Sequence, residues 1–342
     1  MKQQDRRPAP SMKDVALRAG VSQSTVSYAL SGARPISEDV RERIDAAIQE
    51  LDYAPRAAAQ ALRGGRSGIL AVSLLDHEAS HHSWVGFYLM RLTLAARRRG
   101  YDLLVSVETA GGADAVREIA RAQRADGVVL MSVIRADPRI AAVEKLRFPA
   151  VALGQPTDGA LAYVDYDFRR AAVVALTRLQ DAGHTRVIHL GPRRVEVESG
   201  QLYVGRIMEG FREAAAALGI TLTEYHPVDD RAVDEAALTD LVEHSGATGL
   251  AFSSRLDRAE GLPGKFCALL DADPQRDVVE FGSTGLEGDD ASPFPRIVNP
   301  IDTTASASID ALVDQLEGRG AVSRLVAPQL VEPLSVTRAT SR

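Results

Sequence analysis

The sequence predicts an all-α helix-turn-helix head followed by an α/β body of two doubly wound lobes, and three observations carry that reading. Between Ser11 and Leu51, three short amphipathic helical patterns are separated by turn signals. From Ser67 onward, short apolar runs alternate with amphipathic segments, the pattern of parallel strands joined by helices. Charge is also shared unevenly: up to Arg66 there are eleven Lys and Arg against eight Asp and Glu, and beyond it twenty-nine against thirty-eight, in a chain of net charge −6. A cationic head on an acidic body is suited to meeting a polyanion.

The 342 residues, 45% of them hydrophobic, suffice for two or three domains with real cores. Cys267 is the only cysteine, which excludes a disulfide within the chain and any multi-cysteine zinc site, and fits a reducing cytoplasm. The opening MKQQDRRPAP lacks the apolar stretch of a secretion signal, and no later run approaches membrane-spanning length. A cytoplasmic protein without a membrane partner is expected, with residues 1–10 a disordered tail.

The head is expected over residues 11–54. Ser11 and Asp14 form a capping-box signature for a helix that runs through Val15, Ala16 and Ala19 and stops at Gly20. Ser22 can cap the next helix. On a wheel of about 100° per residue, Gln23, Ser24, Ser27 and Tyr28 share one side, with Val26, Ala29 and Leu30 opposite. A third helix follows Ser37, with Glu38 and Asp39 at its positive end and Val40, Ile44, Ala47, Ile48 and Leu51 at helical spacing. Three helices around a tight Gly-Val-Ser turn read as a helix-turn-helix, although these signals alone would also fit a generic three-helix bundle.

The run from Met12 to Gly68, with its turn, second helix, third helix, Tyr-x-Pro and Ala-rich segment in order, resembles the head of the LacI/GalR family of repressors. In that family the second helix enters the major groove. The resemblance therefore implies Gln23, Ser24 and Tyr28 as contacts to base edges, and Ser22, Thr25 and Ser27 as contacts to phosphates. Many members carry Arg or His where Tyr28 stands, so a different operator step is expected there. Residues 55–66 resemble the family's hinge helix and linker. Arg56, Ala59 and Leu62 would then serve the minor groove, with Leu62 as the wedge between central base pairs. Pro55 to Leu62 is too short for a stable isolated helix, so it is expected to order on DNA.

In the body, residues 67–342, the first four strands are expected at Ile69–Leu75, Leu103–Val107, Gly127–Met131 and Ala150–Leu153, with helices at Val85–Arg99, Ala115–Ala122 and Arg139–Leu146. A second set follows, with a helix over Phe168–Ala182 and strands at Val187–Leu190, Leu250–Ser253 and Val278–Phe281. The late segments Arg296–Val298 and Ile301–Gly318 are read as returning to the first half. This gives a first lobe of about 67–163 and 296–325, and a second of about 164–295 and 326–342. GILAVSLLD, YDLLVSV, ADGVVLMS, FPAVALG, VDYD and LQDAGHTRVIHLG also resemble the family's core, which is like periplasmic sugar-binding proteins. Such lobes bind small molecules at the carboxyl ends of their strands.

The pocket departs from the family pattern. Arg255 and Leu256 stand where Asn-Asp is common, and Gly282-Ser283 where an acidic pair is common. Arg206 lies four residues before Gly210 instead of three, with Ile207 in the usual place. The family's Asn-Pro-Phe-Phe after Asp76 is replaced by HEASHHSW. The candidate effector pocket is therefore Asp76, His77, Trp84, Asp165, Arg206, Arg255 and Ser283. Trp84 could stack on a ring or pack in the core, and Asp165 could serve the pocket or cap the helix beginning near Phe168. His184 is read as fixing a helix-to-strand loop. His77 and His81 have helical spacing, but no acidic or thiol cluster gathers with them and loop histidines are usually solvated, so no metal and no cofactor are expected.

The function expected from the resemblance is sequence-specific DNA binding by a homodimer on a pseudo-palindromic operator, as a repressor controlled by a small metabolite between the lobes, a sugar among the candidates. The lost acidic pairs leave open a regulator whose pocket no longer answers to a sugar. A solute-binding or catalytic α/β protein fits less well, because the chain has no Gly-x-Ser-x-Gly and no phosphate-loop motif.

Overall fold

The computed structural model describes residues 10–31, 34–53, 66–76, 82–109, 111–157, 159, 161–228, 235–253, 273, 275–283, 294–320 and 322–332. Contacts divide the chain into two compact units, residues 1–69 with 123–126, and 70–122 with 127–342.

In the head, α1 (Met12–Ala19), α2 (Gln23–Ser31) and α3 (Glu38–Glu50) follow the predicted order. The Ser11–Asp14 capping box is formed, with the Ser11 amide donating to Asp14 at 2.7 Å. Gly20 ends α1 at φ 67°, a left-handed conformation that costs glycine least, and the Val21 amide reaches back to the Ala16 carbonyl at 3.0 Å. That reversal lets Val26 fall into one apolar cluster with Val15, Ala19, Ile44, Ala47 and Tyr53.

The body holds two six-stranded sheets. The first comprises β1 (Ile69–Asp76), β2 (Asp102–Thr109), β3 (Gly127–Met131), β4 (Ala150–Leu153), β5 (Tyr163–Tyr166) and β11 (Arg324–Val326), in the order β11-β5-β4-β3-β1-β2. The second comprises β6 (Arg186–Leu190), β7 (Thr221–Tyr225), β8 (Gly249–Phe252), β9 (Asp277–Ser283), β10 (Arg296–Asn299) and β12 (Gln329–Val331), in the order β12-β10-β9-β8-β6-β7. The pairings of the second sheet are parallel except for the antiparallel edge pair β10–β12. Buried on both faces, β3 and β4 are apolar throughout, as parallel strands covered by helices must be.

Helices α4 (His82–Arg98), α5 (Asp114–Arg121), α6 (Pro138–Leu146) and α11 (Ile301–Leu316) serve the first lobe. Helices α7 (Phe168–Asp181), α8 (Arg194–Glu198), α9 (Leu202–Leu218) and α10 (Glu235–Ser245) serve the second. Leu92 of α4 and Ile309 and Leu312 of α11 bury against Leu70, Val72 and Val129. In the second lobe α7 and α9 pack closely because Gly210 has no side chain: a Cβ there would stand 3.0 Å from the Arg169 Cα.

Two boundaries differ from the sequence expectation. β5 pairs with β4 and β11, so the first crossing between lobes follows Tyr166 and not residue 163. β10, expected to return to the first lobe, instead pairs with β9 and β12 in the second, and the chain crosses back after Asn299 to enter α11. A four-residue strand carries no local signal for which sheet it joins; only pairing decides it. The third crossing lies between β11 and β12.

Candidate nucleic-acid interface and ligand cleft

Ser22 initiates α2. Its Oγ accepts the Thr25 amide at 3.1 Å and lies 2.7 Å from Ser24 Oγ and 2.8 Å from Thr25 Oγ1. The result is a cluster of hydroxyls at a helix N-terminus, where unsatisfied amides and the helix dipole favour a phosphate. Gln23 and Ser24 are exposed, and Thr25, Ser27 and Tyr28 are half-buried. The Arg34 guanidinium sits 5.3 Å from the centre of the Tyr28 ring, a cation–π contact that orients the tyrosine.

In the body a cavity of about 170 Å³ opens where the carboxyl ends of both sheets face each other. The first lobe gives it Trp84 and Tyr88 of α4, the end of β3, and Asp165 and Tyr166 of β5. The second lobe gives it Phe168, Tyr203 and Arg206, with Ser253, Phe281 and Asn299 from strand ends. Asp165, Tyr166, Phe168 and Asn299 stand at the two crossings described above, so the wall of the cavity includes the segments that connect the lobes.

Several bonds bridge the lobes across this cleft. Arg206 of α9 donates to Asp165 at 3.4 Å and to the Gln155 carbonyl. Asn299 donates to the Tyr88 hydroxyl at 3.0 Å, and Leu202 to the Val133 carbonyl at 3.2 Å. Asp165 also accepts the Gln155 and Tyr166 amides, each at 2.9 Å. Burial pushes its carboxyl up to about 6, against the pull of the Gln155 amide and of Arg206. Burial likewise holds the phenols of Tyr88, Tyr166 and Tyr203 above the ordinary tyrosine range, so they remain neutral hydrogen-bonding groups.

Residues 11–56 match the family described as bacterial regulatory proteins, lacI family, and residues 72–245 match periplasmic binding proteins and the sugar binding domain of the LacI family. The chain belongs to the LacI family. It is a transcription regulator with a DNA-binding helix-turn-helix. Among its relatives, the HTH-type transcriptional regulator CelR of Thermobifida fusca is 29% identical over 77% of this chain and 75% of its own. The ribose operon repressor of Escherichia coli K12 is 26% identical over 89% and 92%. In fold, the chain matches a lac repressor dimer bound to operator and the anti-inducer ONPF with a TM-score of 0.76, at 20% identity over 95% of this chain and 98% of that one.

Of the pocket residues expected from the sequence, Trp84, Asp165 and Arg206 line this cavity. Asp76 and Ser283 close β1 and β9. His77 and Arg255 lie outside the described residues, as do Arg56, Ala59, Leu62 and His81. The one-residue displacement does not turn Arg206 away, since both Arg206 and Ile207 line the cavity. The capping role weighed for Asp165 belongs to Asp167, which accepts the Arg170 amide at 2.9 Å. His184 ties its loop to Thr248 at 2.8 Å and Asp277 at 3.0 Å. Among the described residues no group of three His, Cys, Asp or Glu could hold a metal, and no helix is long and apolar enough to cross a membrane.

Tyr88, Tyr166, Phe168, Tyr203 and Phe281 were not anticipated from the sequence, because aromatics at element ends look like core residues. Their available signal was proximity to a lobe crossing or to a strand's carboxyl end.

The Asp165 shift has a measurable consequence. A carboxyl raised from 3.8 to about 6 on folding binds a proton more tightly in the native state, so its stabilising effect is full below pH 3.8 and is lost as pH rises through 6. Relative to Asp165→Asn, the native chain should gain about 2 kcal/mol as pH falls from about 7 to about 4, read by urea unfolding at each pH.

Proposed function

We propose that this LacI-family chain is a homodimeric, cytoplasmic repressor whose affinity for a pseudo-palindromic DNA site is set by a small molecule bound between the lobes, and that it acts by binding and not by catalysis. The observation that carries the ligand control is the make-up of the cavity wall. Asp165, Tyr166, Phe168 and Asn299 stand where the chain passes from lobe to lobe, and Arg206 bridges back to Asp165. A molecule that prefers one lobe arrangement would shift the population toward it, and nothing beyond that differential affinity is needed. Relatives support the class: one solved structure with this fold is described as the transcriptional regulator CelR–cellobiose complex, and another as a lac repressor dimer on operator.

On DNA, Gln23, Ser24 and Tyr28 would meet base edges while Ser22, Thr25 and Ser27 hold phosphates. Arg56, Ala59 and Leu62 would occupy the minor groove. Two copies are required because one short helix reads only a few base pairs. In a titration against specific and random duplexes, Leu62→Ala should lose about tenfold or more in specific affinity while nonspecific affinity barely changes. Equal loss of both would remove the wedge from the mechanism.

A further inference from the structure

The cleft's polar side chains are largely committed to one another. Both oxygens of Asp165 accept backbone amides, and Arg206 is held by Asp165 and the Gln155 carbonyl. Glu196 takes the Arg193 amide at 2.9 Å and guanidinium at 3.1 Å, and the Tyr203 hydroxyl at 3.4 Å. Asn299 is shared between Tyr88 and Thr304, and Ser253 Oγ lies 2.6 Å from His189 Nε2. Each acid is thus matched by its own arginine.

Apart from Ser132 and Gln201, what remains facing the space is apolar and aromatic. Trp84 stands edge-on to Tyr88 with ring centres 5.5 Å apart, and Phe168 packs against Tyr166 at 5.0 Å and Tyr203 at 5.8 Å. Leu153, Val133 and Ile207 fill the wall between the rings. One polar atom stands apart from this economy. The Tyr166 hydroxyl is buried and has no hydrogen-bond partner, a deficit of the kind that a ligand oxygen would relieve.

We propose that the cleft takes a small uncharged molecule built on an aromatic or alicyclic ring, with one oxygen acceptor for the Tyr166 hydroxyl, and not a polyhydroxylated sugar. A sugar would bury many hydroxyls against groups already paired, each at the cost of an unmet hydrogen bond, whereas a flat apolar ring loses nothing there. A carboxylate or phosphate ligand is disfavoured because Arg206, the arginine that lines the cavity, is already paired with Asp165. The inference rests on the reading of the cleft as the effector site, and it names the chemistry of the effector.

Trp84 is the only tryptophan of the chain and lines this cavity, so its emission reports on this site. Full-length protein is titrated with acetophenone and cyclohexanone, with ethylbenzene as the oxygen-free match, and with glucose, ribose, cellobiose and trehalose. Calorimetry runs alongside, and operator binding is measured at each saturated state. The ketones should give a saturable change in Trp84 emission that the sugars do not. Tyr166→Phe should weaken acetophenone about tenfold and leave ethylbenzene unchanged. Saturable binding by a sugar and by no ring compound, or by neither panel, overturns the proposal, and an equal effect of Tyr166→Phe on ketone and hydrocarbon removes the anchor. If a sugar binds and alters operator affinity, the chemistry falls while the regulatory reading stands. If the ketones bind without altering operator affinity, the chemistry stands and the regulatory reading falls.

Discussion

Replacing Arg139 by alanine should lower the stability of the body by about 3–5 kcal/mol, the cost of leaving a buried carboxylate without its counter-ion. Arg139 and Asp137 are both fully buried in their side chains, with Nη2 2.6 Å and Nε 3.0 Å from the two carboxylate oxygens. The same guanidinium donates to the Ser73 carbonyl of β1 at 2.8 Å and to the Ser132 carbonyl at 3.4 Å. Ser132 has φ 57° and lines the cleft, so Arg139 ties β1 to the residue that follows β3. Alanine strands Asp137 and two backbone carbonyls at once. Arg139→Lys keeps the charge but not the planar fork, and should fall between wild type and alanine. Urea unfolding of the three proteins measures this; a loss below about 1 kcal/mol for alanine would mean that water or a shifted side chain replaces the pair.

The second large effect belongs to the head. Ile44 is wholly buried among α1, α2 and α3, in a unit with few other fully covered side chains. Ile44→Ala should cost about 2–5 kcal/mol, comparable to the whole stability that so small a core supplies. The head should therefore be largely unfolded in this variant while the body melts as before, with operator binding lost and ligand binding kept. Limited proteolysis between head and body, read beside Trp84 emission, separates the two. A variant that still binds operator at wild-type affinity would show that contact with DNA supplies what the core lacks.

These effects trace back to how much the residues disclose by themselves. β3 and β4 coincide with the runs Gly127–Met131 and Ala150–Leu153 expected from the sequence, because strands covered on both faces have only apolar residues to offer. The head was legible for a related reason: its caps and its 3.6-residue periodicity are local, and each agrees with the packing. β5 was missed because YVDY is short and carries an aspartate whose burial is explained by partners distant in sequence or set by the fold, the Gln155 and Tyr166 amides and Arg206 from the other lobe. β10 was assigned to the wrong lobe because lobe membership is a matter of pairing between segments far apart in the chain. At the cleft, Asp165 came from the family pattern and Trp84 and Arg206 from places where the sequence departs from it, whereas the hydroxyl of Tyr166 became conspicuous only once its lack of a partner was seen.

Base reading by the exposed side of α2 in each of two copies implies a two-fold symmetric site. Selection of binding sites from random duplex DNA by the wild-type chain and by Gln23→Ala tests it most directly. The wild type should return an inverted repeat, and the variant the same repeat with preference lost at one base pair in each half-site, a discrimination of about 1–3 kcal/mol. Recovery of sites with no two-fold symmetry, or of identical preferences from both proteins, would contradict the account.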